Sequence, residues 1–282
     1  MTPQTEVAEK QTKRISVVII SLNRVEALRR SLAVLGEAHQ VIVVDNGSRD
    51  GSAVAGDDFP GVRSMRLPKN FGSTKALNIG LRTADGEYIL LLHDDARISG
   101  EAVDKLADYL ESHPEAGAVS PLLTDDAGNP VPQMRALPTP SVTDPALQVP
   151  ADNGADEIVT ECVSGAAVMF RSFFIRALRQ IDERYGDYGP SIDLCAQIRR
   201  AGKKVVILRN VHAVHEALRS PVPEAMLQSD RVVGTAVFLA KHHGFASSLL
   251  YRAKTALGAL FTFRFSALSG AIGGAKIDGA AS

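Results

Sequence analysis

The 282-residue chain has only two cysteines, Cys162 and Cys195, too few for a disulfide framework and not in a Cys-x-x-Cys pair. They read as buried thiols in a reducing compartment. Charge is also nearly absent in sum: 31 Lys and Arg stand against 32 Asp and Glu, a net charge of −1. That excludes the strong basic excess of a general nucleic-acid binder. No apolar run reaches the about 18–20 residues that a membrane-spanning helix needs. The opening MTPQTEVAEKQTKR lacks the apolar stretch of a secretion signal, so the cytoplasm is the expected location. No Gly-x-Gly-x-x-Gly follows a strand, which disfavours a Rossmann dehydrogenase.

What is present is an ordinary globular composition, 45% hydrophobic, long enough for one large α/β domain or two intimate lobes. Residues 1–13 read as a disordered tail. Ile15–Ile20, Val41–Val44, Val62–Leu67 and Tyr88–Leu92 are short apolar or β-branched runs, suited to strands buried on both faces. Between them, Val25, Leu28, Leu32 and Leu35 mark one helix face, ended by Gly36, and Ser73–Leu81 reads as a second helix. Ser48 or Asp50 could cap a short helix after the second strand. Ser99 is a natural cap for a helix through Leu110, which His113-Pro114 stops. Ala118–Ser120 reads as a fifth strand. The alternation predicts an α/β fold with a mostly parallel central sheet flanked by helices.

Thr124–Asp156, rich in Pro, Gly, Asp and Asn, breaks this rhythm and reads as a long surface excursion, a candidate substrate-covering loop. Strands are expected again at Ile158–Val163, Ala166–Phe170 and Val205–Leu208, with a helix over Ile192–Ala201. The chain from Pro221 onward is helical in flavour. We therefore divide the chain into an N-terminal α/β half (14–123), a variable loop region (124–157), a second half (158–218) and a helical C-terminal extension (219–282).

Three stretches offer chemistry. His93-Asp94-Asp95 ends the most apolar strand, where ligands of open α/β sheets sit. Adjacent carboxylates there need a positive partner, and a hard divalent cation on a diphosphate is one; a solvated, helix-capping turn is the plain alternative. Asp45-Asn-Gly-Ser ends another strand and suits a grip on base or ribose, or an ordinary Asx turn. Asn70-Phe-Gly-Ser-Thr-Lys-Ala-Leu-Asn78 supplies a Gly for close approach and Lys75, which either meets phosphate or stays exposed. All three fall on one edge of the predicted sheet.

In this order the motifs resemble glycosyltransferase family 2, enzymes of the GT-A fold, closest in style to bacterial rhamnosyltransferase-like members. The resemblance rests on Ile15–Arg24 with its Ser-x-Asn-Arg turn, Val43–Ser52, Asn70–Gly80 and Gly86–Asp95. It continues through Ser164-Gly-Ala-Ala, Ile181–Arg184, Asp193-Leu-Cys and Ala201-Gly to Val211–His215, and so covers about Arg14 to His215. It implies inverting transfer of a sugar from a nucleotide-diphosphate sugar to a hydroxyl acceptor, a cell-envelope or lipid-linked glycan. Ser21, Asn23, Arg24, Asp45, Asn70, Lys75, Asn78 and Asp94 would bind the donor. Asp95 and His215 would hold Mg²⁺ or Mn²⁺.

Two departures stand out. His93 replaces the first acid of the Asp-x-Asp metal motif. Gly189-Pro-Ser-Ile-Asp-Leu-Cys195 replaces Gly-Glu-Asp-x-Asp-Leu-Cys, so that Ser191 stands where the family carries its catalytic base. Asp193 is then the expected base, with Asp187 as the alternative; helix-start electrostatics is the rival role for Asp193, and an N-cap that for Ser191. A member that binds nucleotide sugar without efficient transfer is the competing reading. A sugar-nucleotide pyrophosphorylase ranks low, because Ser21-Leu-Asn-Arg24 stands where such enzymes carry a Gly-rich, Arg-containing loop. Leu249–Lys276 mixes apolar and basic residues without an acid, which suits peripheral contact with an anionic membrane at its inner face, or a packing helix or dimer contact.

Overall fold

The structure, a computed structural model, describes residues 13–152, 154–261, 265–274 and 276–277; the expected tail falls almost wholly outside them. The first half alternates as its apolar runs dictate: β1 (Ile15–Ser21), α1 (Val25–Leu35), β2 (Gln40–Asp45), the short α2 (Ser52–Ala55), β3 (Val62–Arg66), α3 (Ser73–Leu81) and β4 (Tyr88–His93). Then follow β5 (Ala96–Arg97), α4 (Gly100–Ser112) and β6 (Ala116–Thr124). The excursion holds only β7 (Met134–Arg135), and β8 (Glu157–Thr160), β9 (Cys162–Val163) and β10 (Ala167–Arg171) resume the strands. The chain closes with α5 (Ser172–Ala177), α6 (Pro190–Arg200), β11 (Lys204–His215), α7 (Glu224–His243), α8 (Phe245–Phe261) and α9 (Phe265–Gly273).

The main sheet runs β3-β2-β1-β4-β10-β6-β11-β5, with β8 paired to β11. β1, β2, β3 and β4 are mutually parallel; β10 is antiparallel to both β4 and β6, and β11 runs parallel to β6. The antiparallel β10 acts as a hinge line: it lets β6 and β11 point the same way as β4, so six strands present their carboxyl ends at one edge.

Alternate residues serve the two faces, as a pleated strand requires. Val17, Ile19, Val41, Val43, Leu90 and Leu92 pack against Leu28 and Leu32 of α1 and Leu106 and Leu110 of α4. Val18, Ile42, Val44, Ile89 and Leu91 face Ala76 of α3, Leu194 and Ile198 of α6 and Val237 of α7. Helices on both faces explain why these strands are uninterrupted apolar runs.

Some boundaries differ from expectation. β6 begins at Ala116, before Ala118; Gly117 lies within it, where a Cβ would lie 2.6 Å from Ile198 Cγ2. β11 runs past Leu208 to His215, with an irregular register between Leu208 and His212, so the two histidines lie on the strand rather than after it. α6 starts from Gly189, whose φ of 115° a glycine adopts freely, with Pro190 as its first residue; Ser191 is not its cap. Ser99 does cap α4, accepting from Ala102 N at 3.2 Å.

Candidate functional site

The loop after β1 is fixed by the loop after β2. α1 has no capping side chain of its own. Asp50 Oδ2 instead accepts from Val25 N at 2.9 Å, and Ser52 Oγ from Arg24 N. Asp50 thus caps α1 from a distance, while α2 starts from Gly51. Asn23 adopts φ 51°, a region asparagine tolerates, and its Oδ1 accepts from Arg49 N at 2.7 Å. With backbone and cap supplied elsewhere, the Arg24 guanidinium is free to turn into the sheet edge.

There it meets the two acids. Arg24 Nη1 lies 3.1 Å from Asp94 Oδ1 and 3.0 Å from Asp95 Oδ2. Ser21 Oγ donates to Asp94 Oδ2 at 2.9 Å, and Leu218 N donates to Asp95 Oδ2 at 2.9 Å. Arg24 Nη2 also reaches the carbonyls of Leu218 and Arg219, which draws the segment after β11 over the site. Asp95 Oδ1 is buried without a hydrogen bond. It faces His215 Nε2 at 3.4 Å and His93 Nδ1 at 3.8 Å. The two imidazoles stand edge to face with centroids 5.8 Å apart.

Electrostatics separate the members. Burial pushes Asp95 up, but His215, His93 and Arg24 together outweigh it and hold the carboxyl down at about 2. Burial wins at Asp94, whose pKa rises although Arg24 and Ser21 oppose it. His93 is half exposed at the rim, yet the cleft walls desolvate its charged form; with His215 and Arg24 acting the same way against Asp95, its pKa falls to about 4. One orphaned carboxylate oxygen and two imidazole nitrogens, all within 4.8 Å of one another, form a donor set that fits a divalent cation.

Asp45 shares this edge. Its register partner on β1 is Ser21, the residue that bonds Asp94. Asp45 is buried, its Oδ2 accepts from Ser48 N, and its Oδ1 has no hydrogen bond. Gly47 lets the β3–α3 loop come close: its φ is +87°, and a Cβ there would sit 2.4 Å from the Lys69 carbonyl carbon. Asn46 and Asn70 latch the two loops at 2.9 Å. Lys75, half-buried on α3, has no ion pair among the described residues.

Not every expected residue faces the cleft. The Asn78 side chain donates to Ile181 O at 2.9 Å, accepts from Ile181 N at 2.8 Å and donates to Glu183, so it pins the 181–183 segment. Asn70 is likewise occupied in its loop, accepting from Gly72 N as well as Asn46. Asp193, the expected base, lies away from open space. It is fully buried, and its oxygens receive Lys241 Nζ at 2.7 Å, His242 Nε2 at 2.7 Å, Gln197 Nε2 and Tyr185 OH. Burial raises it, these partners outweigh burial, and no oxygen is left for an acceptor hydroxyl.

Ser191 does reach the site: its side chain and His93 Nε2 both border the space above Gly165. Asp187 Oδ1 accepts from Ser73 N and Oγ, both at 2.7 Å; burial raises its pKa against those bonds, and its other oxygen has no hydrogen bond among the described residues. The role of His93 beside Asp95 and the bridging role of Arg24 were not read from sequence. The only signal for the first was a histidine where an acid is usual.

A mixed, mostly parallel sheet with helices on both faces and acids at the carboxyl edge of β4 defines the GT-A class of fold. The Glycosyl transferase family 2 profile matches residues 16–178, and the chain belongs to that family of glycosyltransferase enzymes. It is 25% identical over 264 residues to the N-acetylglucosaminyl-diphospho-decaprenol L-rhamnosyltransferase of Mycobacterium tuberculosis, covering 82% of this chain and 86% of the relative. It is 31% identical over 109 residues to the undecaprenyl-phosphate 4-deoxy-4-formamido-L-arabinose transferase of Pectobacterium atrosepticum, covering 34% of this chain and 33% of that one. Among solved structures, the mannosyltransferase PcManGT of Pyrobaculum calidifontis, in complex with GDP-Man and Mn²⁺, superposes with a TM-score of 0.57 at 16% identity, covering 91% of this chain and 80% of that one. GalNAc-T7 with UDP, GalNAc and Mn²⁺ gives 0.56 at 15% identity, covering 81% of this chain and 48% of that one.

Proposed function

We propose that the protein transfers a sugar, with inversion, from a nucleotide-diphosphate sugar to a hydroxyl of a lipid-linked glycan. The observation that carries this is the shared edge: Asp45 pairs in register with Ser21, Ser21 donates to Asp94, and Asp95 is the next residue. Asp45, with a buried unpaired oxygen, grips the nucleoside, and Ser21, Asn23 and Arg24 shape the floor beneath the diphosphate. Lys75 adds a positive group. Asp95 and His215 would hold a divalent cation, which when bound would neutralise charge building on the leaving nucleotide. The acceptor approaches from the Asp187 loop and the start of α6, where Ser191 lies. Of the two candidate carboxylates, Asp187 and Asp193, Asp187 is the one with an oxygen free of hydrogen bonds among the described residues, and its pKa is raised by burial, so Asp187 takes the hydroxyl proton.

The lipid-linked acceptor follows the relatives named above, and the C-terminal helices support it. Phe245, Leu249, Leu250, Leu257, Leu260 and Phe261 of α8 are exposed, as are Phe265 and Ile272 of α9. No acid occurs between Asp230 and Asp278, while Arg252, Lys254 and Lys276 do. No helix among the described residues is long and apolar enough to cross a membrane. This is the composition of helices that lie on an anionic lipid surface. Residues 14–123 thus serve as the donor half and 158–218 as the acceptor side.

The test is transfer from a panel of nucleotide sugars, an L-rhamnosyl donor first, to a short-chain polyprenyl diphosphate glycan, read as labelled lipid. Donor-dependent product supports the proposal. Tight donor binding with neither transfer nor donor hydrolysis overturns it in favour of the binding-only reading.

A further inference from the structure

The Asp94–Asp95 pair looks rich in oxygen in the sequence, but the fold spends most of it. Ser21 Oγ takes Asp94 Oδ2, and Arg24 Nη1 takes Asp94 Oδ1. Arg24 Nη1 and Leu218 N together take Asp95 Oδ2. Of the four carboxylate oxygens, only Asp95 Oδ1 is left, buried and without a hydrogen bond. The remaining donors that converge on it are both imidazole nitrogens, His93 Nδ1 at 3.8 Å and His215 Nε2 at 3.4 Å.

From this we infer that His93 is a metal ligand, and that the two-histidine, one-carboxylate site selects Mn²⁺ or a later first-row divalent ion and discriminates against Mg²⁺. This rests on the metal-assisted reading above and adds to it the identity of the ion and the residue that decides it. Mg²⁺ prefers oxygen, demands near-octahedral geometry and gives up water reluctantly. Imidazole favours later first-row ions. An acid at position 93 would supply a second oxygen and a second negative charge; histidine supplies neither. Asp95 can bind through one oxygen only, because the other is fixed by Arg24 and Leu218. A site with one oxygen and two nitrogens therefore has little to offer Mg²⁺ beyond a single charge.

Position 93 is free to change without harming the fold. Its side chain is half exposed, at the last residue of β4. Its backbone N–H bonds Ala166 O at 2.8 Å, and its Nε2 borders the space above Gly165 that Ser191 also borders. Nδ1 is the ring nitrogen nearer Asp95, 3.8 Å from its Oδ1.

The experiment uses metal alone and the full chain, with no donor and no assay of transfer. Co²⁺ absorption and Mn²⁺ electron paramagnetic resonance report the ligand field and the affinity, and Mg²⁺ serves as competitor. We expect the wild-type chain to bind Co²⁺ and Mn²⁺, and about a hundred-fold excess of Mg²⁺ to displace less than half of either. His93→Ala should weaken Co²⁺ binding by about ten- to a hundred-fold and change its visible spectrum. His93→Asp should bring Mg²⁺ and Mn²⁺ affinities closer together. A Co²⁺ spectrum and affinity unchanged in His93→Ala but lost in Asp95→Ala would overturn the role of His93 while leaving the metal site in place. Equal binding of Mg²⁺ and Mn²⁺ by the wild-type chain would overturn the selectivity. Absence of binding by the wild-type chain would remove the metal reading itself.

Discussion

Asp193 and Lys241, 48 residues apart, meet at 2.7 Å between the start of α6 and the end of α7. The acid of the Asp-Leu-Cys motif is thereby an anchor for the C-terminal helices. Asp193→Ala removes the 2.7 Å partner of both Lys241 and His242, leaving Lys241 only Asp182 at 3.7 Å. The expected loss is about 3 kcal/mol, the lower end for a broken buried pair, since Lys241 is 25% exposed. Chemical denaturation measures it. Turnover per folded molecule should stay within a few-fold of wild type, whereas Asp187→Asn should lower it by about 10²–10⁴-fold with donor binding kept. A fall of that size in Asp193→Ala at retained stability would restore Asp193 as the base.

Arg24 bridges both acids and the segment after β11, so its removal strands negative charge. Arg24→Ala should destabilise the metal-free protein by about 3 kcal/mol. Mn²⁺ should recover more of the melting temperature in this variant than in wild type, because a cation replaces a cation. Paired thermal-shift scans with and without Mn²⁺ check this, and an equal Mn²⁺ increment in both proteins would contradict it.

Asp230 gives the chain a pH dependence. Its carboxylate accepts from the backbone of Asp187, Tyr188 and Ile277. Burial nonetheless raises its pKa from 3.8 to about 6. The native state therefore holds a proton that the unfolded chain releases, and this group favours folding below pH 3.8, with the benefit lost as pH rises to about 6. The amount is on the order of 2–3 kcal/mol. Denaturation of wild type and Asp230→Asn between about pH 4 and pH 6.5 should show the two stabilities converging or crossing with a slope of that sign. Parallel curves would refute it.

The exposed apolar side chains of α8 and α9 predict vesicle binding. Phe261→Ser combined with Phe265→Ser should lower partitioning onto vesicles containing phosphatidylglycerol by about ten-fold or more. Flotation measures it, and transfer to a water-soluble acceptor analogue should be unchanged. Equal binding to neutral vesicles would remove the electrostatic part.

The helix-covered strands were legible because burial on both faces leaves an unbroken apolar run: β1, β2 and β4 lie within a residue or two of their predicted bounds. Strand direction leaves no such trace, so nothing in Ala166–Phe170 announced that β10 runs antiparallel. β11 was cut short because Arg209-Asn210 interrupts its apolar run at the register irregularity. In the site, Asp45 and Asp95 were legible as acids at strand ends. The engagements of Asn78 and Asp193 were not, since their partners lie 103 and 48 residues away. Such pairings come from packing, which local pattern does not encode.

Residues 124–156 read as a long surface excursion, a candidate substrate-covering loop. Gln133 ties them to the sheet: it is fully buried, its side chain bonds Leu123 N and Pro121 O, and its backbone bonds Gln148 and Ser164. The excursion is riveted to β6 at one point and rejoins the sheet at another. A segment held by fixed joints can be exchanged whole, like a cartridge, while the strands that carry the acids keep their positions. Grafting this stretch between related enzymes is therefore the economical route to a new acceptor preference on an unaltered donor pocket.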